Sequence, residues 1–494
     1  MPLGETIAAA ATPAGESALA IVRASGPLAP VLAAAVLGRP PGETPPPRHA
    51  TFGHYHPLAG ESLDQVVITL FPAPNSPTGE DLLEISCHGN PLITRHILDD
   101  LFARGCRPAQ PGEFTRTAFL AGKLDLSQAE AVADLIRARS DASLRAARRQ
   151  LDGELSRRVQ EFTAALLVIQ AEVEAYIDFP EEDLPAEDPS GPRAKIQTLA
   201  DAIAKLLATT RYGALLRDGA SAVIAGPPNA GKSSLLNALL GRPRAIVSPI
   251  PGTTRDFLEE RFLAGPYSIQ ITDTAGIPDS SSPLDPIEAE GIARSLDKIA
   301  TADFLLLVID STLAPPAFPQ SVLDFIQPHN TLVLENKTDL SGSKSLSSFL
   351  NDCKHVRLSL KSGDGLETLK KQLTTALERA YAIPHDDLIL TSTRHADALT
   401  RTHAALTSAL SDLSSSLSIP KSQISNSQNP SSLSNSKSQN SNPPHPPLPA
   451  QNFLPAEFLA AHLRDALESL GDILGRPDNE AMLDQLFAKF CIGK

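Results

Sequence analysis

The stretch Gly226-Pro-Pro-Asn-Ala-Gly-Lys-Ser233 decides the fold of the central part of this chain. It follows an apolar run, Ala222 to Ala225, and precedes a segment of helical pattern that starts at Ser234. A glycine-rich turn between a strand and a helix is the context of a phosphate-binding loop, whose backbone N–H groups surround phosphate oxygens at the helix N-terminus. The alternative is a chance glycine-rich turn, and this context argues against it.

Two side chains of this loop have roles that follow from their chemistry. The ammonium group of Lys232 is expected to bind the β- and γ-phosphates, which makes it a catalytic candidate, and the hydroxyl of Ser233 is expected to bind Mg²⁺. The other residues expected around the phosphates are Asn229, Ala230, Gly231 and Ser234.

Two later segments identify the nucleotide. Asp273-Thr274-Ala275-Gly276 closes the next strand, so Asp273 is expected to hold the Mg²⁺ shell through water while the Gly276 amide faces the γ-phosphate. Asn336-Lys337-Thr338-Asp339 follows another apolar run, and its Asp339 carboxylate can accept hydrogen bonds from guanine N1–H and N2–H₂, a donor pair that adenine lacks. The sequence therefore predicts GTP. Ser359-Leu360-Lys361 lies where a second base-contacting loop belongs, although its middle residue is bulkier than usual.

The segment between the phosphate loop and Asp273 bears on hydrolysis. We interpret Gly252-Thr-Thr-Arg-Asp256 as a mobile segment whose Thr254 hydroxyl completes Mg²⁺ coordination. The alternative is an ordinary threonine-rich turn. Ile277, not glutamine, follows Gly276, so the group that orients the attacking water must lie elsewhere. The candidates are a downstream carboxylate such as Glu288 and a monovalent cation.

The pattern around these motifs predicts an α/β and α chain of several domains. Residues 1–118 read as a mixed α/β domain, 119–217 as long helices, 218–379 as a doubly wound, mostly parallel sheet of the Ras-like type, and 380–494 as further helices. The nucleotide domain is thus expected to be inserted into a discontinuous helical domain. Residues 411–450, rich in Ser, Asn, Pro and Lys, are predicted to be a disordered insertion.

Composition limits the surroundings of the protein. Acidic residues outnumber basic ones by 57 to 43, so RNA contact requires a local basic patch or a more basic partner. Four scattered cysteines, without metal-ligand spacing, indicate reduced thiols. Neither a cleaved leader nor a run of roughly 20 apolar residues is found, so we expect a cytoplasmic protein without a membrane segment.

Together these features resemble the MnmE (TrmE) family of tRNA modification GTPases, over nearly the whole chain. Beyond the nucleotide motifs, the matching segments are Thr6-Ile-Ala-Ala-Ala-Ala-Thr-Pro13, Ile21-Val-Arg23, Thr78-Gly-Glu-Asp-Leu-Leu-Glu84, Cys87-His-Gly89, Pro111-Gly-Glu-Phe114, Ala118-Phe-Leu-Ala-Gly-Lys-Leu-Asp-Leu126, Gln128-Ala-Glu-Ala131, Tyr176-Ile-Asp-Phe179 and the terminal Phe490-Cys-Ile-Gly-Lys494. Such a set is far more specific than a phosphate loop alone.

The resemblance implies substrates and partners. Members are homodimers that join an MnmG-type FAD protein in a heterotetramer and modify C5 of the wobble uridine (position 34) of certain tRNAs. The one-carbon donor implied is a tetrahydrofolate derivative (5,10-methylene or 5-formyl) held by the N-terminal domain, which also dimerises, whereas FAD and NADH belong to the partner. The implied folate-binding residues are Arg23, Glu84, Lys123 and Lys494. On their own, each of these would read as an ordinary surface charge.

The resemblance also implies a potassium-dependent GTPase. Its K⁺ ligands fall on Asn229, Ser248, Ile250 and Thr253, and its general base falls on Glu288, with Glu290 and a merely solvated glutamate as alternatives. Cys491 invites a nucleophile hypothesis, but a packed, inert thiol is the commoner reading of a lone cysteine.

Two other classes of function compete with this one. A regulatory switch or ribosome-assembly factor would bind RNA or protein without modifying it. It would be expected to carry an RNA-binding appendage such as a GXXG module, and we find none after the nucleotide domain. A scaffold would use the first domain for folate-independent dimerisation. The insertion and Leu360 are departures from the family pattern that do not touch the phosphates.

Overall fold

The computed structural model describes residues 4–178, 190–241, 260–273, 298–316, 318, 320–381, 388–417, 456–475, 480–488 and 490–493. Within these residues, the chain forms two six-stranded sheets and a set of helices between them.

The first sheet belongs to the N-terminal domain and is mostly antiparallel. Its spatial order is β3-β4-β5-β2-β1-β6, and only the β1–β6 pair is parallel. One face packs its apolar residues against two helices, while the other face is partly exposed, as the alternating burial of β4 shows. The elements are β1 (Ile7–Ala10), β2 (Ser17–Ser25), α1 (Ala29–Ala35), β3 (Thr51–His54), β4 (Gln65–Phe71), β5 (Leu82–Gly89), α2 (Pro91–Ala103), β6 (Arg107–Pro108) and α3 (Glu113–Leu120).

A helical domain is built from two separate parts of the chain. Its first part comprises α4 (Leu126–Arg137), α5 (Asp141–Leu151), α6 (Glu154–Asp178), α7 (Ser190–Leu207) and α8 (Thr210–Asp218). The nucleotide domain then intervenes, and the helices resume after it. One apolar core contains Leu155 and Leu199 from the first part and Leu406 and Leu463 from the second. The predicted discontinuous helical domain is therefore confirmed.

The inserted domain is a doubly wound sheet. Its elements are β7 (Ala220–Ala225), α9 (Lys232–Leu240), β8 (Glu260–Ala264), β9 (Tyr267–Asp273), β10 (Phe304–Asp310), α10 (Gln320–Leu323), β11 (Thr331–Asn336), β12 (Lys354–Arg357) and α11 (Leu366–Ala380). The order is β12-β11-β10-β7-β9-β8, parallel except for the β8–β9 hairpin. The strand order reverses beside β7, so the loop after β7 lies at the switch point where such sheets bind ligands.

The second helical part comprises α12 (Thr393–Leu417), α13 (Ala456–Leu474) and α14 (Glu480–Phe487). Helix α12 corrects the predicted start of the insertion at 411, because residues 411–417 are helical. Leu410 and Leu413 pack against the helical core at helical spacing, so apolar contacts override a serine-rich composition. Residues 418–450 lie outside the described residues, and the domain limits given above stay predictions.

The nucleotide domain rests on the helical domain through α5 and α8. Ala142 of α5 and Tyr212 of α8 belong to the same apolar core as the sheet strands. Arg217, at the end of α8, donates from Nη1 to the carbonyl of Thr391, 2.8 Å away, just before α12 begins. The two connections of the inserted domain therefore meet on one side of it. Among the described residues, no helix has the length and apolarity required to cross a membrane.

Candidate functional site

The phosphate loop joins the carboxyl end of β7 to the first turn of α9. Gly231 adopts a φ of +105°, and a Cβ atom there would lie only 2.3 Å from Asn336 Nδ2. Glycine is therefore required by the packing of the loop against β11. Because Gly231 occupies the N-cap position without a side chain, the first N–H groups of α9, including those of exposed Ser233 and Ser234, can bind an anion.

The Lys232 side chain is held over this loop by two backbone carbonyl groups of the loop. Its Nζ donates to the carbonyl oxygens of Gly226 and Pro227 at 2.9 and 2.8 Å. An ammonium group has three donors, so it can turn one or more of them to phosphate oxygens while staying attached to the loop. The predicted phosphate-binding lysine is thus placed at the rim of the loop.

Asn336 connects the base side of the site to the phosphate side. Its buried side chain donates from Nδ2 to Ala230 O at 2.8 Å, and its Oδ1 accepts from the Leu360 N–H at 3.2 Å. One amide therefore ties together the phosphate loop, the end of β11 and the loop after β12. Leu360, the bulky middle residue of the second base-contacting loop, lies at the edge of the sheet core and is directed toward Gly231.

Asp339 and Ser359 are brought together as a base-binding pair would require. Ser359 Oγ donates to Asp339 Oδ1 at 2.7 Å, which fixes the carboxylate and leaves it as an acceptor. Lys361 is exposed beside them. The arrangement can accept the N1–H and N2–H₂ donors of guanine, as predicted from the motif.

Asp310 is a site residue that the sequence reasoning missed. It ends β10, and its Oδ2 accepts a hydrogen bond from Lys337 Nζ at 2.6 Å. Burial alone would raise the pKa of Asp310, but hydrogen bonds from Lys337 and Thr312 outweigh it and lower that pKa below its usual value. The pair fixes the Lys337 side chain beside the base-binding residues. The available sequence signal was a carboxylate at the end of a buried strand, whereas the position of that strand next to β11 is seen only in the fold.

The Mg²⁺ side of the site is only partly described. Asp273 ends β9 and pairs in register with Ile224 of β7, so its backbone lies beside the start of the phosphate loop. Nine predicted positions lie outside the described residues: Ser248, Ile250, Thr253, Thr254, Thr274, Ala275, Gly276, Glu288 and Lys494.

A second cluster lies on the N-terminal sheet. Arg23 of β2 and Glu84 of β5 are register partners, and Arg23 Nε lies 2.7 Å from Glu84 Oε1. Both side chains are about one quarter exposed, at 27% and 22%. A neighbouring polar group, Ser25 with Thr78 and Glu80, was not predicted; Ser25 Oγ lies 2.8 Å from Thr78 Oγ1.

The C-terminal tail reaches this cluster. The Gly493 carbonyl accepts from Arg23 Nη1 at 3.5 Å, and the Cys491 carbonyl accepts from the Gly112 N–H at 3.2 Å. Gly493 has a φ of +91°, and a Cβ there would lie 2.1 Å from Ala10 O, so only glycine allows this approach. Arg23, Glu84 and the residue before Lys494 therefore meet.

Lys123 approaches from the loop between α3 and α4. Its side chain runs alongside Gly79, at the start of the segment that carries Glu80 and Glu84. The Cys491 side chain is exposed. The predicted cation and carboxylate positions of this domain thus gather on one region of the sheet, as binding of a small polar ligand requires.

Comparisons with known proteins identify the family of the chain. Residues 126–429 match the MnmE helical domain, and residues 6–123 match the N-terminus of the GTP-binding protein TrmE. The tRNA modification GTPase MnmE of Opitutus terrae is 46% identical over the full length of both chains. Those of Methylococcus capsulatus and Akkermansia muciniphila are both 39% identical, over 100% and 99% of this chain and 99% of each relative. This chain belongs to the MnmE family of tRNA modification GTPases, and it is a GTP hydrolase.

Proposed function

We propose that this GTP hydrolase is activated by K⁺ and, with an MnmG-type partner, modifies C5 of the wobble uridine (position 34) of certain tRNAs. A tetrahydrofolate derivative, 5,10-methylene or 5-formyl, supplies the one-carbon unit. FAD and NADH serve the reaction on the partner. GTP hydrolysis controls the cycle and does not itself supply carbon.

The observation that carries this proposal is the meeting of Arg23, Glu84 and the tail at Gly493. Arg23 and Gly493 are 470 positions apart in the chain, so the cluster joins the first domain to the end of the chain. Guanidinium and ammonium groups can pair with the glutamate tail of folate, and a carboxylate can accept from the pterin 2-amino and N3 groups. Lys123 and Lys494 complete the proposed folate set.

The cations have their own proposed ligands. Ser233 and Thr254 would hold Mg²⁺, with Asp273 acting through water, and the ion would neutralise charge on the phosphates. Potassium would be held by Asn229, Ser248, Thr253 and the Ile250 carbonyl, oxygen donors that suit a hard cation. Asn229 fits this role, since it is exposed within the phosphate loop. Glu288 is the proposed general base.

An apolar face supports the proposed homodimer. Leu19, Phe52 and Val67 are 63, 66 and 37% exposed on the outer face of the N-terminal sheet. Register places them on the same face as Arg23 and Glu84. Large exposed apolar side chains beside a polar cluster are typical of a protein interface. We further propose a heterotetramer with the MnmG-type partner, in the cytoplasm.

Mass spectrometry of wobble nucleosides tests the modification role. Cells lacking this chain should lose the C5 substituent, and the wild-type chain should restore it. An unchanged nucleoside profile in the deletion strain would refute the proposal and would favour a regulatory GTPase.

Equilibrium dialysis with 5-formyltetrahydrofolate tests the one-carbon part separately. Arg23→Ala and Glu84→Ala should each weaken binding, because each removes one charged partner of the ligand. Arg95→Ala, an exposed arginine of α2, is the matched control. Binding that ignores both site variants would leave the domain as a dimerisation module.

A further inference from the structure

A strip of cationic side chains runs across three helices of a chain whose net charge is −14. We call it the basic surface. Its members are all exposed: Arg139, Arg145, Arg148, Arg157, Arg158 and Lys205. They lie before and on α5, near the start of α6 and at the end of α7. The negative net charge of the chain would repel a polyanion on average, so a polyanion requires a local basic surface such as this one.

The strip begins on the outer face of α5. Ala142, Ala147 and Gln150 are buried on the opposite face, and Ala142 packs against the nucleotide domain. Arg145 and Arg148 are three residues apart, so they are neighbours on the solvent side of the helix. The amphipathic packing of α5 therefore holds both guanidinium groups outward.

The strip continues into a groove between α6 and α7. Arg157 Nη1 donates to the carbonyl of Asp152 at 3.0 Å, which places it beside the end of α5. Arg157, Arg158 and Lys205 line a groove of about 510 Å³. The Arg158 guanidinium lies 6.0 Å from the centre of the Phe162 ring, which orients it.

Carboxylates nearly match the cations of this surface in number, but the ion pairs that Arg148 and Arg158 form with them are exposed and weak. Arg148 lies 3.8 Å from Asp152 and Arg158 lies 3.1 Å from Glu161, and both pairs are exposed, so each stabilises the fold little. Among the described residues, Arg139 and Arg145 have no ion-pair partner. The other acidic neighbours include Asp141, on the solvent side of α5, Glu154, in the groove, and Asp201, which is exposed on α7 four residues before Lys205. The strip therefore keeps a positive excess that is available to a ligand.

We propose that the basic surface binds the phosphate backbone of the tRNA. Five of its six cations are arginines, whose planar fork matches phosphate geometry. The surface is long and charged, which fits a polyanion better than a protein interface with an apolar centre. Double-stranded RNA is recognised mainly through shape, phosphates and 2′-hydroxyls, which suits such a strip. This inference rests on the proposed role in tRNA modification.

A matched pair of charge reversals tests it. Arg148 is 79% exposed and lies 3.8 Å from Asp152 four residues on, whereas Arg95 is 75% exposed and lies 3.7 Å from Asp99 in the same spacing. Fluorescence anisotropy with a labelled tRNA transcript, from about 50 to 200 mM KCl, should give a roughly tenfold higher Kd and a salt slope smaller by about one for Arg148→Glu. Arg95→Glu should change neither.

The double variant Arg145→Glu/Arg148→Glu should weaken tRNA binding further while GTP hydrolysis without RNA is unchanged. Wild-type affinity in that variant would overturn the inference, as would a loss that Arg95→Glu reproduces. If the variant instead binds tRNA normally but no longer binds the MnmG-type partner, the surface serves an acidic protein and the inference is wrong. Failure of the wild-type chain to restore wobble modification would refute the proposed function, whereas the binding comparison would still decide the surface.

Discussion

The polarity of a single residue, Asp339, sets which base the site accepts. Ser359 already donates to one of its oxygens, so the carboxylate acts toward the base as an acceptor. Asp339→Asn places a donor where guanine also has donors, so GTP affinity should fall by at least about 100-fold. Xanthosine triphosphate, with a carbonyl at position 2, should bind the variant better than GTP. Fluorescence titration of both nucleotides measures this, and undiminished GTP affinity would refute the assignment.

Asn229 is the residue on which the potassium proposal can be tested within the described part of the chain. GTP turnover of the wild-type chain should rise when Na⁺ is replaced by K⁺ at constant ionic strength. Asn229→Ala removes one oxygen ligand, so its rates in the two salts should converge while nucleotide affinity is retained. Phosphate-release assays in NaCl and KCl provide the measurement. Equal rates in the two salts for the wild-type chain would exclude the cation role.

Sequence reasoning could propose nucleotide-binding residues because each motif is contiguous and chemically specific. Lys232, Asp339 and Ser359 lie as the motifs predicted. Asp310 escaped because its role comes from the adjacency of β10 and β11, which no local pattern encodes. The hydrogen bond from Asn336 to the Ala230 carbonyl joins residues 106 positions apart, so the sequence could not predict it for the same reason.

At the scale of elements, the contact of α4 with α12 depends on Glu130. Its Oε1 accepts from Arg394 Nε at 2.7 Å, and its Oε2 lies 2.7 Å from His395 Nε2. Burial would raise the pKa of Glu130, but the charges and hydrogen bonds of His395 and Arg394 outweigh it and lower that pKa to about 2. The folded state therefore favours the ionised form.

The sign of the pH dependence follows from that lowered pKa. The stabilisation from Glu130 is complete above its unfolded pKa of about 4.3 and is lost as pH falls toward about 2. Urea unfolding followed by circular dichroism should show the urea midpoint falling across this window. Glu130→Gln should flatten part of that fall. Glu172→Gln, which alters an exposed pair with Lys195, should leave the fall of the urea midpoint unchanged. Equal dependence of the urea midpoint on pH in all three proteins would contradict the account.

The elements themselves were predicted with uneven success. Strand β4 coincides with the predicted run Gln65 to Phe71, because β-branched residues alternate between turns rich in Pro and Gly. Helix α12 passes the predicted boundary at 411, because Leu410 and Leu413 continue the apolar stripe within a serine-rich stretch. Composition alone could not reveal that the stripe had a core to pack against.

At the scale of the whole molecule, Gly493 near the end of the chain contacts Arg23 of the first domain, in the proposed folate site. Gly493→Ala would place a Cβ atom against Ala10 O, so the tail should detach from the sheet. Binding of 5-formyltetrahydrofolate should weaken by at least about tenfold, the loss expected when a charged contact is removed. GTP hydrolysis should be unchanged. Equilibrium dialysis and a phosphate-release assay on the same sample separate the two effects.

Cys491→Ser is the control for that variant, since it changes an exposed neighbour without a steric clash. It should bind folate as the wild-type chain does. Loss of wobble modification in cells carrying Cys491→Ser, with folate binding intact, would instead support the nucleophile hypothesis. Normal folate binding by Gly493→Ala would show that the tail does not contribute to the site.

The architecture of inserted domains was readable from the order of patterns along the chain, because alternating strands and helices interrupt an otherwise helical region. The arrangement of the tail was not. It depends on two contacts between distant parts of the chain, that of Gly112 with Cys491 and that of Arg23 with Gly493, and only the family resemblance pointed to it.

The central claim is that backbone amides of the loop at 226–233 and the ammonium group of Lys232 bind and activate GTP. Phosphate release by purified, folded Lys232→Ala tests it most directly. We expect turnover to fall by at least about 100-fold, because a charge contact to the reacting phosphates is lost. Full turnover in the variant, or a wild-type chain that hydrolyses ATP as readily as GTP, would contradict it.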